Sequence, residues 1–556
     1  MVADWFVHTD DHIRGSRATS DRETVRDQPV AADTPMRRSP ERGASVIEVD
    51  ADIAVLGSGF AGSLTTLIVD RIGLRPVLVD RVRHPRFAIG ESSTPIANLV
   101  LEDLARRYRL PRLRPLTAYG SWQATYPSVG CGLKRGFSFF KHEADRTFVP
   151  DATHANELLV TASSGDAHSD TQWLRADIDQ FLVREVERAG LPVLDETDIT
   201  ELAVPDMSDT GRWVLRGHRG TTPVSITAGF VIDATGAGGV LPRSLGLTND
   251  VSSVRTRSRA VFSHFVGVEP WHDRLTALGG QVGDHPFCCD DAAQHHVLAG
   301  AWLWMLRFNN GLTSAGLAID DRRHPYDPAV TAEQEWHRWL DRYPSLADQF
   351  RHATVAERPG TLRHTGRLQR RITDVVGRHW ALLPHTAGFI DPLLSTGIAH
   401  TLCGIERLMH VVEHYWRDAC FESQLRSYEQ AVHTELTLID ELVSGCYDSF
   451  GRFGLLTAYT MLYFAAATSY EQRRLATTDR FSGLFLCAED PALRQVMRDV
   501  RGQLASLLAA DELSAAQIAD FERMVERSIA PFNRVGLCDA RAGNMYRYTG
   551  AGRRRG

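Results

Sequence analysis

Ala51–Asp80 reads ADIAVLGSGFAGSLTTLIVDRIGLRPVLVD, and this stretch decides the fold. IAVL is a short apolar strand. Gly57, Gly59 and Gly62 follow it as Gly-x-Gly-x-x-Gly, with Phe60 and Ala61 between the last two glycines. An apolar helix then runs to about Gly73, and PVLV makes a second strand ending in Asp80, 18 residues past Gly62. Strand, glycine turn, helix, strand and terminal acid form a dinucleotide-binding βαβ unit. Gly57 permits the tight turn, Gly59 lets backbone approach a pyrophosphate, and Gly62 lets the helix pack on the strand. The helix N-terminus offers free N–H groups to the phosphates, and Asp80 is placed for ribose hydroxyls.

Outward from this unit, apolar runs alternate with helical stretches to about residue 400, as in an α/β protein. Beyond that the pattern is helical: Ile398, Leu402, Ile405, Met409 and Val412 recur at helical spacing. The fold expected is α/β: a Rossmann-like nucleotide domain, a mixed β-sheet substrate region and a helical C-terminal domain. Three segments are expected: a flexible extension over 1–49, a core over 50–414 and a helical domain over 415–556. GAGRRRG, at the C-terminal end, reads as a frayed basic tail.

Composition narrows the function classes. Charged residues make up 24% of the chain and hydrophobic ones 43%, which excludes a disordered or collagen-like protein. A net charge of −7 gives no footprint for nucleic acid or an anionic membrane. The longest apolar run, Leu455 to Ala467, is shorter than the roughly 20 residues of a membrane span. None of the eight cysteines forms a Cys-x-x-Cys pair or alternates with histidine at metal spacing, so no metal site is expected. MVADWFVHTDDHIRG lacks the apolar centre of a secretory signal, and a cytoplasmic location is the expectation.

Of 62 basic residues only Lys134 and Lys141 are lysine. An amine kept against so strong an arginine bias suggests chemistry that guanidinium cannot perform, such as nucleophilic attack. Chance survival of two lysines is the bland alternative.

Two further segments, VIDATGAGG (Val231–Gly239) and HWALLPHTAGFIDPLLSTGIAHTL (His379–Leu402), resemble the second and third FAD-contacting segments of flavoproteins with the aromatic-hydroxylase fold. WLRADIDQFLVREVERAG (Trp173–Gly190) resembles their Arg-x-x-x-Asp helix. This implies contacts to FAD from Arg175, Asp233, Gly236, Asp391 and Ile398, with Asp179 nearby. With GSGFAG, the motifs IGESSTP (Ile89–Pro95), GLKRGFSFF (Gly132–Phe140) and GFIDPLLSTGI (Gly388–Ile398) resemble the flavin-dependent halogenases, in the branch acting on phenols and pyrroles.

That resemblance implies FAD used as FADH2, O2, and chloride or bromide as reactants, with a separate flavin reductase as partner. In the family, a flavin C4a-hydroperoxide oxidises halide to hypohalous acid, which travels to a lysine beside the substrate. Lys134 falls on that lysine, and it either hydrogen-bonds the oxidant or becomes a haloamine. Thr396 and Gly397 fall on the helix start that binds halide, where unpaired N–H groups attract anions. Ile89, Glu91 and Ser92 match the loop against the flavin ring. Lys141 has no family role and is expected at a solvated surface position.

Two departures bear on substrate. Leu394 stands where tryptophan halogenases carry a glutamate, and leucine neither accepts a proton nor stabilises a cation. The substrate expected is therefore a ring that activates itself, a phenolic or pyrrolic natural-product precursor as in antibiotic biosynthesis, free or bound to an acyl carrier. The family's Trp-x-Trp-x-Ile-Pro signature is here Trp302-Leu303-Trp304-Met305-Leu306-Arg307. The tryptophans imply a wall between substrate and flavin, and Arg307 is expected to reshape the tunnel or bind a carboxylate or carrier phosphate. Two other readings stay open: an aromatic hydroxylase of the same fold, and a catalytically degenerate flavoprotein partner.

Overall fold

The computed structural model describes residues 46–204, 211–476, 483–510 and 512–550. Nearly all of the expected N-terminal extension and the end of the basic tail lie outside these residues.

The Ala51–Asp80 unit folds as its pattern dictates. Strand β1 (Ile47–Leu56) leads into helix α1 (Phe60–Arg71) and strand β2 (Pro76–Val79). The first strand starts at Ile47, six residues before the apolar run IAVL. Ile47 and Val49 continue its pairing with a later strand, opposite Val224 and Ile226. Helix α2 (Pro95–Arg107) follows the IGESSTP loop, with Thr94 as its N-cap. Next come β3 (Cys131–Lys134), β4 (Gly136–Lys141), β5 (Glu157–Thr161), β6 (Asp170–Trp173) and the Arg-x-x-x-Asp helix α3 (Arg175–Arg188). Strands β7 (Val193–Leu194), β8 (Thr197–Ala203), β9 (Trp213–Arg219) and β10 (Thr222–Asp233) complete the first half.

In the nucleotide sheet, β10, β1, β2 and β7 pair in parallel in that order, and β8 and β9 extend it antiparallel from β10. Parallel strands covered on both faces read as continuous apolar runs, as IAVL and PVLV do. A second, nine-stranded sheet holds β11 (Ser258–Val266), β12 (Ala292–Leu298), β13 (Ala301–Arg307) and β14 (Thr313–Asp320), joined to β4 and β5. Strands β3 and β6 form a separate antiparallel ribbon.

The C-terminal third is helical. Helix α4 (Thr396–Tyr415) starts at the Ser-Thr-Gly turn and is followed by α5 (Phe421–Ser449), α6 (Phe453–Ala476), α7 (Pro491–Leu508) and α8 (Ala515–Ile529). The chain ends in a short strand, β15 (Met545–Tyr546), that joins the second sheet in parallel beside β5. One hydrophobic core runs from β1 and α1 through α4 into these helices, so the helical part shares its interior with the nucleotide domain. A smaller core lies between β11–β14 and the helix at Ala332–Asp341. No helix among the described residues is long and apolar enough to cross a membrane.

Candidate active site

The glycine turn has the close packing its sequence requires. Gly57 adopts φ +97°, and a Cβ on Gly62 would lie 1.8 Å from the Gly57 carbonyl oxygen. Asp80 accepts hydrogen bonds from the Ser58 N–H and hydroxyl, both at 2.7 Å, so the terminal acid is tied to the turn. Phe60 N–H, at the start of α1, donates to Asp179 at 3.1 Å. Arg175 clamps Asp179 through Nε and an Nη, donates to the Ile89 and Gly90 carbonyls, and lies over the Phe60 ring. The Arg-x-x-x-Asp helix thus neutralises its own acid while binding the glycine loop to the IGESSTP loop.

Two contributors were not read from the sequence. Arg86 has an Nη 3.7 Å from where a Gly59 Cβ would stand, and its buried Nε has no partner among the described residues. A guanidinium with an unused donor beside the turn suits a pyrophosphate. His385 contacts Gly236 and lies near Phe60; burial pushes its imidazole down to about 4, keeping it neutral. Asp233 is buried and accepts from Thr235 and the Leu241 N–H, holding the DATG turn in place. These donors and the side-chain-free backbone fit FAD: Gly57–Gly62, Arg86 and Asp80 would hold its adenosine diphosphate end.

At the Ser-Thr-Gly turn, Ser395 adopts φ +51°, and no side chain caps α4. Gly397 is exposed with open space beside its Cα, and Thr396, Ile398 and Leu394 are buried around it. An uncapped N-terminus on a 20-residue helix leaves N–H groups free for an anion. Ser395 donates to the Ser92 hydroxyl at 3.0 Å, joining this turn to IGESSTP. Glu91 is buried and paired with His264 at 2.7 Å. Asp391 lies in a closed network: Ser258 and Tyr447 donate to it, and Trp302 Nε1 donates to Tyr447. Burial raises this carboxyl to about 6 against those hydrogen bonds.

Lys134 is fully buried at the end of β3. Its Nζ donates to the Ser93 carbonyl at 2.5 Å and sits 4.3 Å from the Phe137 ring centroid. Burial drives the ammonium down to about 7, opposed by the charge of Asp170, which lies directly across the ribbon. Directly paired antiparallel residues share a face. Lys134, Asp170, Gly132 and Gln172 therefore occupy one face of the ribbon. Gln172 is fully buried, and neither atom of its amide has a partner among the described residues. Phe137, the ring beneath the Lys134 ammonium, lines a small cleft together with Thr94, Pro95, Ile96 and the α6 residues Tyr463 and Glu471.

Two expectations change. Lys141 is half-buried and donates to the Phe450 carbonyl at 2.9 Å; it anchors a helix end and is not solvated. Arg307 is committed to Asp290 and to the carbonyls of Val268 and Glu269, so it is an internal strut and not a tunnel or carrier contact. Trp302 and Trp304 remain buried on β13, the first stacked on His295 and the second donating to Ser314.

Fold and site together fit an FAD-binding protein with a Rossmann-like nucleotide sheet beside a second, mixed sheet. No protein-family profile matches the chain. It is 28% identical over 492 residues to monodechloroaminopyrrolnitrin halogenase PrnC of Pseudomonas fluorescens, covering 84% of this chain and 83% of that protein. It is also 28% identical over 437 residues to tetracycline 7-halogenase of Kitasatospora aureofaciens, covering 77% and 75%. The solved structure of halogenase PltM with phloroglucinol and FAD superposes with a TM-score of 0.77 at 23% identity, covering 89% of this chain and 99% of that one. The chain is thus similar over most of its length to halogenases, among them proteins described as flavin-dependent and one solved with FAD.

Proposed function

We propose that the enzyme halogenates a phenolic or pyrrolic ring, free or carrier-tethered, with Lys134 delivering the halogen. The carrying observation is Lys134 itself, a fully buried amine packed on Phe137, a ring that lines the cleft, with its proton affinity lowered to about 7. A neutral amine can take a halogen from hypohalous acid, releasing water; the protonated form can instead donate a hydrogen bond to the oxidant. The ring carbon then takes the halogen, its proton leaves, and the amine is regenerated. Reduced FAD, when bound, would activate O2, and O2 is the oxidant that converts halide to hypohalous acid. Thr396 and Gly397 present the α4 N-terminus to halide, and Ser92 holds that turn beside the IGESSTP loop.

Gln172 extends the lysine's face with an amide free to donate and accept, suited to a hydroxyl of the oxidant or of a phenolic substrate. Leu394 is buried at the turn and offers no acid to a developing cation, which favours a self-activating ring. The relatives support that class: one is a pyrrole-2-carbonyl carrier-protein chlorinase of Pseudomonas fluorescens, and PltM is solved with phloroglucinol. A separate reductase supplies FADH2 in this reading.

The test supplies photoreduced FAD, oxygen and chloride or bromide with phenolic and pyrrolic candidates, and reads products by mass. A halogen isotope pattern supports the proposal; oxygen incorporated in its place assigns a hydroxylase. Lys134→Ala is expected to lower halogenation by about 10²- to 10⁴-fold while FAD binding and oxygen consumption persist.

A further inference from the structure

Far from the lysine, where β5 begins, three chemistry-bearing side chains meet. Glu157 Oε2 lies 3.2 Å from His154 Nδ1 and 3.1 Å from His285 Nε2. All three ligand atoms lie within 4.8 Å of one another. All three side chains are almost completely buried. A tetrahedral ion with bonds of about 2.0–2.1 Å separates its ligand atoms by roughly 3.3 Å, so both spacings at Glu157 match edges of such a site. Glu157 pairs with no arginine or lysine among the described residues; its charge faces only the two imidazoles.

His154 turns its other ring nitrogen, Nε2, toward the Asp284 carboxylate at 3.4 Å. With Nδ1 on a metal ion, Nε2–H donates to Asp284. That is the carboxylate–histidine–metal arrangement by which outer acids orient metal-binding imidazoles. The buried Nδ1 of His285 has no partner among the described residues. The backbone is also held for the purpose, since His154 sits at φ +57° and its carbonyl accepts from Asn544 Nδ2 at 3.0 Å.

We propose that His154, Glu157 and His285 bind a first-row divalent cation, with Asp284 orienting His154, and that the ion anchors the C-terminal strand. Two imidazoles with one carboxylate suit Zn²⁺ and its neighbours and disfavour Mg²⁺ and Ca²⁺, which take oxygen ligands. The anchoring follows from the chain path. Asn544 bridges His154 to β15, its carbonyl accepts from Leu159 N–H, and Thr549 then bonds the Thr161 carbonyl. Thr549 and Gly550 line the cleft beside Phe137. A metal at one end of β5 thereby fixes a wall of the cleft at the other end.

The experiment uses the full chain with FAD bound, stripped with a chelator and titrated with Zn²⁺ and Co²⁺. The expected result is one tightly bound equivalent, a visible Co²⁺ spectrum of tetrahedral intensity, and slower hydrogen exchange over residues 544–550 on binding. His285→Ala and His154→Ala are each expected to weaken binding by 100-fold or more. Asp284→Asn, at a more exposed position, should weaken it by about ten- to a hundred-fold. The site is overturned if wild type binds no stoichiometric ion, or if His285→Ala binds as wild type does. The anchoring is overturned if the metal binds and exchange over 544–550 does not change. None of these readouts depends on turnover, so they stand or fall apart from the halogenase reading.

Discussion

The chain contains two lysines, which makes the ionisation of Lys134 directly observable. With ¹³C-labelled lysine, the ε-carbon signals number two, and Lys141→Arg assigns them. Lys134 is expected to titrate near 7, against an ordinary lysine value of 10.5. The gap of about 3.5 units corresponds to roughly 5 kcal/mol against the charged form, set by loss of water around the ammonium. At pH 8 about nine-tenths of Lys134 is then neutral, compared with about 0.3% of an exposed lysine, a gain of about three-hundred-fold in free amine. Asp170→Asn removes the charge that holds the proton on, so the midpoint should fall further, by about a unit or more. The linkage to stability has a definite sign. Between about 7 and 10.5 the unfolded lysine binds a proton that the native one has released. Native stability therefore gains from this group as pH rises through that window, by about 1.4 kcal/mol per pH unit. A Lys134 midpoint above 9 would refute the reasoning, because a solvated ammonium is then present and the free amine is scarce.

The remaining expectations concern the cofactor loop and the lysine's neighbour. Gly62→Ala places a Cβ 1.8 Å from the Gly57 carbonyl oxygen and should prevent the turn from forming, read as loss of soluble or thermally stable protein. Gly59→Ala meets nothing closer than 3.4 Å, so it should fold but lose FAD, read by the flavin absorbance of purified protein. Gln172→Leu removes two buried polar atoms that have no protein partner, so stability of the FAD-free protein should rise by about 1–2 kcal/mol while halogenation falls; unchanged turnover would remove Gln172 from the site.

The nucleotide half of the fold was legible because each of its elements is local. A glycine turn announces itself within six residues, and the runs IAVL and PVLV that flank it and its helix are apolar at every position. Lys134 was legible for a different reason: arginine bias made an amine conspicuous, and the surrounding motif placed it. Asp170 and Gln172 carry no such mark. They reach the lysine only through the register of an antiparallel ribbon, across separations of 36 and 38 residues that no periodicity encodes. Arg86 and His385 sit within or beside recognised motifs, yet their proximity to Gly59 and Gly236 depends on how separate segments converge on the turn. Arg307 and Lys141 were misread because main-chain carbonyls satisfy them, and a sequence does not show which carbonyls a fold will turn inward.

That convergence also fixes the relation between the Ser-Thr-Gly turn and the amine. Ser92 meets the hydroxyl of Ser395 at the head of α4. Ser93, next along the chain, exchanges hydrogen bonds with Thr171 on β6 and offers its carbonyl to Lys134. Thr94 caps α2 and lines the cleft. One tripeptide therefore touches the Ser-Thr-Gly turn, the lysine and the cleft wall in succession. Its backbone is held on one side by a strand ribbon and on the other by a helix cap. Transfer of a small oxidant needs donor, carrier and acceptor in fixed register, and sites supported by regular elements keep that register better than free loops do. In the proposed reaction Ser93 consequently has a positioning role through its carbonyl. A side-chain change there, Ser93→Ala, should disturb the ribbon through Thr171 while leaving the hydrogen bond to Lys134 in place.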